Sequence, residues 1–241
     1  LKMPNGDITT TMTASLTKLT VDGKNVRSLS DLSKLKALKF LYIKRFQNIS
    51  PYLDTIGGLP ELYELNISST CLPDLSFLRK LHLKRLSLVY DTITDIQELS
   101  GQTGLIYLDI SRNRIADHSP LSKLKNLAYV NITCSRNEDL SFMKDFDSLA
   151  AFTIYGSYAL KDFGFIKNLK NVKDIFIYEV SPYSDLSFLL PMTGSLTVNT
   201  SLGSGKEALT LLISVNESIR TILSKIIKPG MSDIEKELVI H

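Results

Sequence analysis

Between Leu105 and Asn126 the apolar residues fall into two sets. Leu108 and Ile110 alternate with Tyr107 and Asp109, the period of a strand with one buried face, and Leu105 leads into it. Asn113 stands where the chain must turn, and an asparagine there can bond backbone groups that a turn leaves unpaired. Ile115, Leu121 and Leu124 then face inward on the return path, and Leu127 restarts the pattern. One such unit cannot bury its own apolar face, but stacked copies can.

The copies begin at Leu16, Leu38, Leu62, Leu83, Leu105, Leu127, Leu149 and Val172, at spacings of 22, 24, 21, 22, 22, 22 and 23. A degenerate last strand follows at Leu196–Val198. A second phase agrees: DLSFL at Asp74–Leu78, DLSFM at Asp139–Met143 and DLSFL at Asp185–Leu189, with DLSKL at Asp31–Leu35 and DFGFI at Asp162–Ile166 as variants. From Leu16 to Leu202 the chain resembles the 22-residue leucine-rich repeat class of internalin-like bacterial surface proteins and of phosphatase-subunit regulators. That resemblance implies an α/β fold, a curved, right-handed solenoid of about eight parallel strands with short helical or 3-10 turns on the convex side. The chain departs from the class at the turn asparagine. Only Asn113 keeps it; Lys24, Phe46, Thr70, Asp91, Ser135, Ser157 and Val180 hold the other positions. The polar ladder of the class is therefore expected to be mostly missing.

The 22-residue period breaks at both ends. Residues 1–15 contain the turn signal Asn5-Gly6 and an Asp7 able to cap a short helix, and we assign them as an N-terminal cap. Residues 16–202 form the repeat domain, with insertions near Asn48–Pro51 and Ser157–Ala159 that should bulge at the strand exits. Residues 203–241 form a helical cap or a linker. Within them, 206–228 read as one amphipathic helix with Leu209, Leu212, Val215, Ile219, Ile222 and Ile226 on the apolar face. The helix either caps the last repeat or belongs to another domain. Lys228-Pro229-Gly230 ends it, and Ser232–Glu235 is a capping box for another helix. IIKPGMSDIEKELVIH resembles the opening of transglutaminase-like, papain-type domains of secreted bacterial proteins. That family's catalytic Cys, His and Asp lie downstream of this opening and map onto no residue here. The start at Leu1 rather than Met fits a piece of a longer protein with a targeting segment ahead of it.

Composition narrows the function classes. The 28 basic and 25 acidic residues give a formal charge of +3, too balanced for nucleic acid or an anionic membrane. No apolar run reaches the length of a membrane span. Cys71 and Cys134 lie three repeats apart, roughly 14 Å at strand spacing, beyond disulfide reach; both are expected to be small, partly buried residues. His82, His118 and His241 have no second ligand at metal spacing, and no phosphate loop, dinucleotide fingerprint, G-x-S-x-G or C-x-x-C occurs. We expect no metal, no cofactor and no catalytic site. A pairing of Cys134 with His118 would join a strand exit to a segment beyond the preceding repeat's turn, a poor geometry for a nucleophile and its base.

What remains is a face. The outward positions form three columns. The first reads Lys18, Phe40, Glu64, Arg85, Tyr107, Tyr129, Ala151 and Asp174. The second reads Thr20, Tyr42, Asn66, Ser87, Asp109, Asn131, Thr153 and Phe176. The third reads Asp22, Lys44, Ser68, Val89, Ser111, Thr133, Tyr155 and Tyr178. Folding does not require these aromatics on an exposed sheet, though tyrosine also suits strands by propensity, and tyrosine contributes large contact area at low entropy cost. The expected protein-binding residues are Phe40, Tyr42, Lys44, Arg85, Tyr107, Asp109, Tyr129, Tyr155, Phe176 and Tyr178. Lys18, Lys39, Lys44, Lys84 and Arg85 make the N-terminal end basic against Asp22 and Glu64, a gradient able to orient an acidic partner. Glycosylation sequons at Asn66 and Asn131 would block the face, which favours a bacterial source. The expected role is a monomeric module that binds a protein or peptide, extracellular or on a bacterial surface, with a cytoplasmic location left open. The alternatives are the non-catalytic arm of a transglutaminase-like enzyme and a cell-wall glycan binder.

Overall fold

A computed structural model describes residues 15–133, 139–155, 163–179, 185–192, 197–227 and 231. Nine parallel strands stack in sequence order among these residues: β1 (Lys18–Asp22), β2 (Phe40–Lys44), β3 (Glu64–Ser68), β4 (Arg85–Val89), β5 (Tyr107–Asp109), β6 (Tyr129–Thr133), β7 (Ala151–Tyr155), β8 (Asp174–Tyr178) and β9 (Thr197–Thr200). The ninth is the degenerate last strand, one beyond the eight expected. The alternation within each strand sends Leu41 and Ile43, Leu86 and Leu88, Leu108 and Ile110, and Phe152 and Ile154 into one continuous core. The return segments are 3-10 turns such as Ser76–Lys80, Ser119–Lys123 and Ser141–Asp145, which bury Leu78, Leu121 and Met143. This is the leucine-rich repeat solenoid that the period predicted. After β9 the chain reverses into β10 (Gly203–Ser204), antiparallel to β9, at Gly203 with φ 128°, a conformation open to glycine and strained for other residues.

The D-L-S tag has a physical role as well as a register. Oδ1 of Asp74, Asp139 and Asp185, and of Asp117 in the sequence Asp117-His118-Ser119, accepts the amide of the serine two residues on, at 2.8–2.9 Å, which starts the 3-10 turn. Bonds from the same serines' hydroxyls and amides hold the four carboxyls below their ordinary range, the hydroxyl contributing most at Asp74 and Asp185. The DLSKL variant does not share this register. Asp31 lies inside the turn Ser30–Lys34, where it pairs with Lys34, and Ser28 Oγ takes the Ser30 amide instead. Three residues separate the sequence match from the structural equivalent.

The turn ladder is more complete than the missing asparagines suggested. Asn113 Oδ1 accepts the amides of Asp91 and Ile93, and its Nδ2 donates to the carbonyls of Leu88 and Ile110. One repeat earlier, Asp91 Oδ1 accepts both the amide and the hydroxyl of Thr70. Asp91 thus keeps the acceptor half of the asparagine's role. Its other oxygen, Oδ2, is buried with no hydrogen-bond partner among the described residues, and burial pushes the carboxyl above its ordinary range. A carboxyl raised by folding favours the folded state only while protonated. Its contribution is complete below the unfolded value of about 3.9 and is lost as pH rises through the raised folded value. Asp91→Asn supplies the missing donor and is expected to stabilise by about 1–2 kcal/mol near neutral pH. Thermal melts across pH should show the gain shrinking towards pH 4; a gain that is constant or grows in acid would refute the assignment.

Three local expectations change. The insertion near Asn48–Pro51 does not bulge at the strand exit. It forms the 3-10 turn Ser50–Tyr52 running into the helix Leu53–Gly57, and it buries Ile49, Leu53 and Ile56 in the layer of return segments. The extra residues carry their own apolar side chains, so the core draws them in. The Ser157–Ala159 insertion, the N-terminal cap apart from Ser15, Cys134 and the capping box lie outside the described residues. Cys71 is exposed rather than partly buried, on a left-handed backbone with φ 56°. The C-terminal helix runs Gly205–Ile226 and packs on β9, β10 and the Ser187–Met192 turn. It buries Ala208, Leu209, Leu212, Asn216 and Leu223, whereas Val215, Ile219, Ile222 and Ile226 are exposed, Ile222 at 55 %. The apolar sector of this helix is wider than the last repeat can cover.

Candidate functional site

The register places the first two columns as read, and the third as well except at Ser111, which lies beyond the paired residues of β5. Arg85 pairs with Tyr107, Tyr107 with Tyr129, Thr153 with Phe176, and Tyr155 with Tyr178. Because side chains at matched positions stand one strand spacing apart, about 4.8 Å, large neighbours within a column come into contact. Tyr107 and Tyr129 stack with ring centroids 4.8 Å apart and planes 9° from parallel. The Arg85 guanidinium lies over Tyr107 at 4.1 Å and pairs with Glu64 at 3.1 Å. Glu64 also accepts the Tyr42 hydroxyl at 3.0 Å, and the Lys18 ammonium lies over the Tyr42 ring. The Tyr129 hydroxyl meets Thr153 Oγ1 at 3.2 Å. A continuous row therefore runs from Lys18 through Tyr42, Glu64, Arg85 and Tyr107 to Tyr129. Burial, with the nearby Asp109 charge, pushes the Tyr107 phenol up to about 12, so it stays a donor at physiological pH.

The other predicted residues surround this row. Phe40 is half-buried against Tyr63 at 6.1 Å. Asp109 accepts the amide and hydroxyl of Ser111 and the Asn131 amide group, so its carboxylate is spent within the face. Tyr155 and Tyr178 lie 5.5 Å apart at 44°. Phe176 is half-buried between Thr153 and Asn199 on the neighbouring strands. A shallow depression of about 360 Å³ opens between Lys18, Thr20, Tyr42, Lys44, Asn66 and Ser68. Among the described residues no group of three or more His, Cys, Asp or Glu could hold a metal, and no helix is long and apolar enough to cross a membrane.

The basic gradient is compensated in part, at Lys44 and Arg85. Lys44 and Arg45 both pair with Asp22, whose carboxyl is held down to about 2 by the Arg45 hydrogen bond, and Arg85 pairs with Glu64. Exposed pairs of this kind contribute little to stability. Lys44→Ala leaves Asp22 its Arg45 partner, so we expect no change in melting temperature. Binding kinetics at several ionic strengths should show a weaker salt dependence of association with an acidic partner and an affinity changed by less than about threefold. A large change in the dissociation rate would make Lys44 a direct contact instead.

Periodicity missed one column. Seven residues after the first apolar residue of their repeats, Arg45, Ser69, Tyr90, Arg112 and Glu179 all adopt left-handed φ between 52° and 61°. The amides of Arg45 and Ser69 continue the ladder onto the next strand's carbonyl, and that of Arg112 bonds Thr133 Oγ1 at 2.7 Å. Left-handed backbone at non-glycine residues is uncommon. Here it turns the chain while projecting Tyr90 and Arg112 from the rim of the face. The Arg112 guanidinium lies 4.9 Å from the Tyr90 ring centre and 5.2 Å from that of Tyr155. The available signal was the shared offset of these residues from their repeat starts.

No protein-family profile and no curated protein matches the chain. Solved structures do. The chain is similar to internalin C2 of Listeria monocytogenes, with a TM-score of 0.69 and 24 % identity over 80 % of this chain and 84 % of that one. The internalin InlF of the same organism gives 0.62 and 25 % over 80 % of this chain and 64 % of that one. A leucine-rich repeat protein of Leptospira interrogans gives 0.52 and 16 %, over 80 % and 56 %. Repeat length, ladder register and these neighbours together give the chain the leucine-rich repeat solenoid fold that the internalins share.

Proposed function

We propose that the chain is a monomeric, non-catalytic module that binds a protein or peptide across the outward face of its strand ladder, in a protein secreted by or displayed on a bacterium. Residues 16–202 carry the face, and residues 203–241 act as cap or linker. The observation that carries this reading is the Tyr107–Tyr129 stack. Two large rings stand half-exposed at the centre of the ladder, where the fold requires only a strand-compatible side chain. Arg85 over the stack, and Tyr42 and the Tyr155–Tyr178 pair to either side, extend it into a surface of aromatic and guanidinium groups. These residue types dominate binding energy at protein interfaces. The shallow depressions of the face suit an extended or folded polypeptide better than a buried small molecule.

The test is surface plasmon resonance against a partner recovered by pull-down with the whole chain. Wild type is compared with the Tyr107→Ala/Tyr129→Ala variant and with Lys123→Glu on the opposite side of the repeat. Loss with the tyrosine variant alone supports the reading. Loss with Lys123→Glu alone places binding on the return segments and overturns it.

A further inference from the structure

We propose that Arg112 and Tyr90 form an anchor for one carboxylate of the bound polypeptide, an Asp or Glu side chain; the inference rests on the ladder face being the binding surface. Among the described residues, Arg45, Arg85 and Arg112 carry guanidinium groups along this face, and the first two are already neutralised. Arg45 pairs with Asp22, and Arg85 with Glu64. Arg112 has no carboxylate within ion-pair distance among the described residues. Its aromatic neighbours come from repeats on either side, Tyr90 from the one before and Tyr155 from the second one after. The left-handed backbone and the bond from its amide to Thr133 fix where the side chain leaves the rim. An exposed cation with no carboxylate partner among the described residues is thus held beside two aromatic rings.

The hydrogen-bond pattern names the ligand's chemistry. Arg112 Nη1 donates to the Tyr90 hydroxyl oxygen. That phenol's own proton must then point away from the guanidinium, and Tyr90 is 52 % exposed. A carboxylate at the guanidinium edge can accept from the remaining N–H groups and from the Tyr90 O–H together. Charge-assisted, forked bonds of this type are the strong ones at protein surfaces. A single guanidinium balances a monoanion, which favours a carboxylate over a phosphate. The Tyr155–Tyr178 pair beside the anchor gives the flanking residues an aromatic surface.

The test uses a random dodecapeptide library on phage, displayed so that peptide C-termini are blocked, and panned on the whole chain. Recovered peptides are synthesised acetylated and amidated, and affinities are measured by fluorescence anisotropy. We expect the peptides that depend on Tyr107 and Tyr129 to share an acidic residue. Arg112→Gln should weaken them by about tenfold or more, and so should replacing that acidic residue by its amide. The two changes together should cost no more than either alone. Arg112→Lys should fail to restore binding, because it keeps the charge and loses the fork. Tyr90→Phe, which removes one oxygen and leaves the backbone alone, should weaken the same peptides severalfold and guards against misfolding of the arginine variants. Tyrosine-dependent peptides that share no acidic residue, or that bind Arg112→Gln and Tyr90→Phe like wild type, overturn the anchor and leave the face standing. If no recovered peptide depends on the tyrosine pair, the face reading fails and the anchor with it.

Discussion

Leu108→Ala is expected to destabilise the solenoid by about 2–5 kcal/mol. Leu108 is fully buried in the central strand β5, in register with Leu86 on one side and Val130 on the other. Truncation removes apolar contacts with both neighbours at once and leaves a cavity that parallel strands, fixed by their ladder bonds, cannot close. The position matters as much as the volume. β5 spans three residues where the strands beside it span five, so hydrogen bonding between the two halves is already at its thinnest there. A repeat protein is held together by nearest-neighbour interfaces. Weakening one in the middle should therefore broaden or split the unfolding transition as well as lower its midpoint. Scanning calorimetry distinguishes the outcomes. A single transition as sharp as wild type, with a midpoint within a degree of it, would mean that the central interface is not limiting.

The second large effect is on binding. Tyr107→Ala combined with Tyr129→Ala should weaken the partner on the order of 30-fold or more, since central aromatic truncations typically cost about 2 kcal/mol or more. The structure adds a stability component to this expectation. The rings are half-buried, stacked on each other and covered by Arg85, so their loss should also cost about 1 kcal/mol of folding stability. That is small against the binding loss and measurable by thermal melts. Tyr107→Phe separates the two contributions. It keeps the stack and removes a phenol that is protonated at physiological pH. Melting like wild type with weakened binding would show that the hydroxyl donates to the partner. Wild-type affinity in the double alanine variant would remove the stack from the interface.

The fold was legible because its determinants are local and repeated. Leu108 and Ile110 lie on the inner face because they alternate with Tyr107 and Asp109. Tyr107 meets Tyr129 because the repeat is 22 residues long at that point. A one-residue error would have turned a strand inside out, so two agreeing phases sufficed to set the columns. The tag at Asp31 shows the limit of pattern matching: its letters agree with the other tags, while the capping atom belongs to Ser28.

The chain's sequence by itself determined the solenoid, the strand register and the list of outward side chains, because period and alternation specify which residues share a face. Tertiary structure alone decided how those side chains are used. Arg85 bridges Glu64 and Tyr107, Lys44 shares Asp22 with Arg45, and Asp91 serves as an incomplete asparagine, because each of these depends on atoms brought together across repeats. Arg112 reaches Tyr90 and Tyr155 because a left-handed turn after β5 aims it along the rim, and no spacing rule predicts where a flexible side chain goes once it leaves the ladder. The C-terminal helix shows the same division. Its sequence set the width of its apolar sector, and the edge of the last repeat decided how much of that sector was covered.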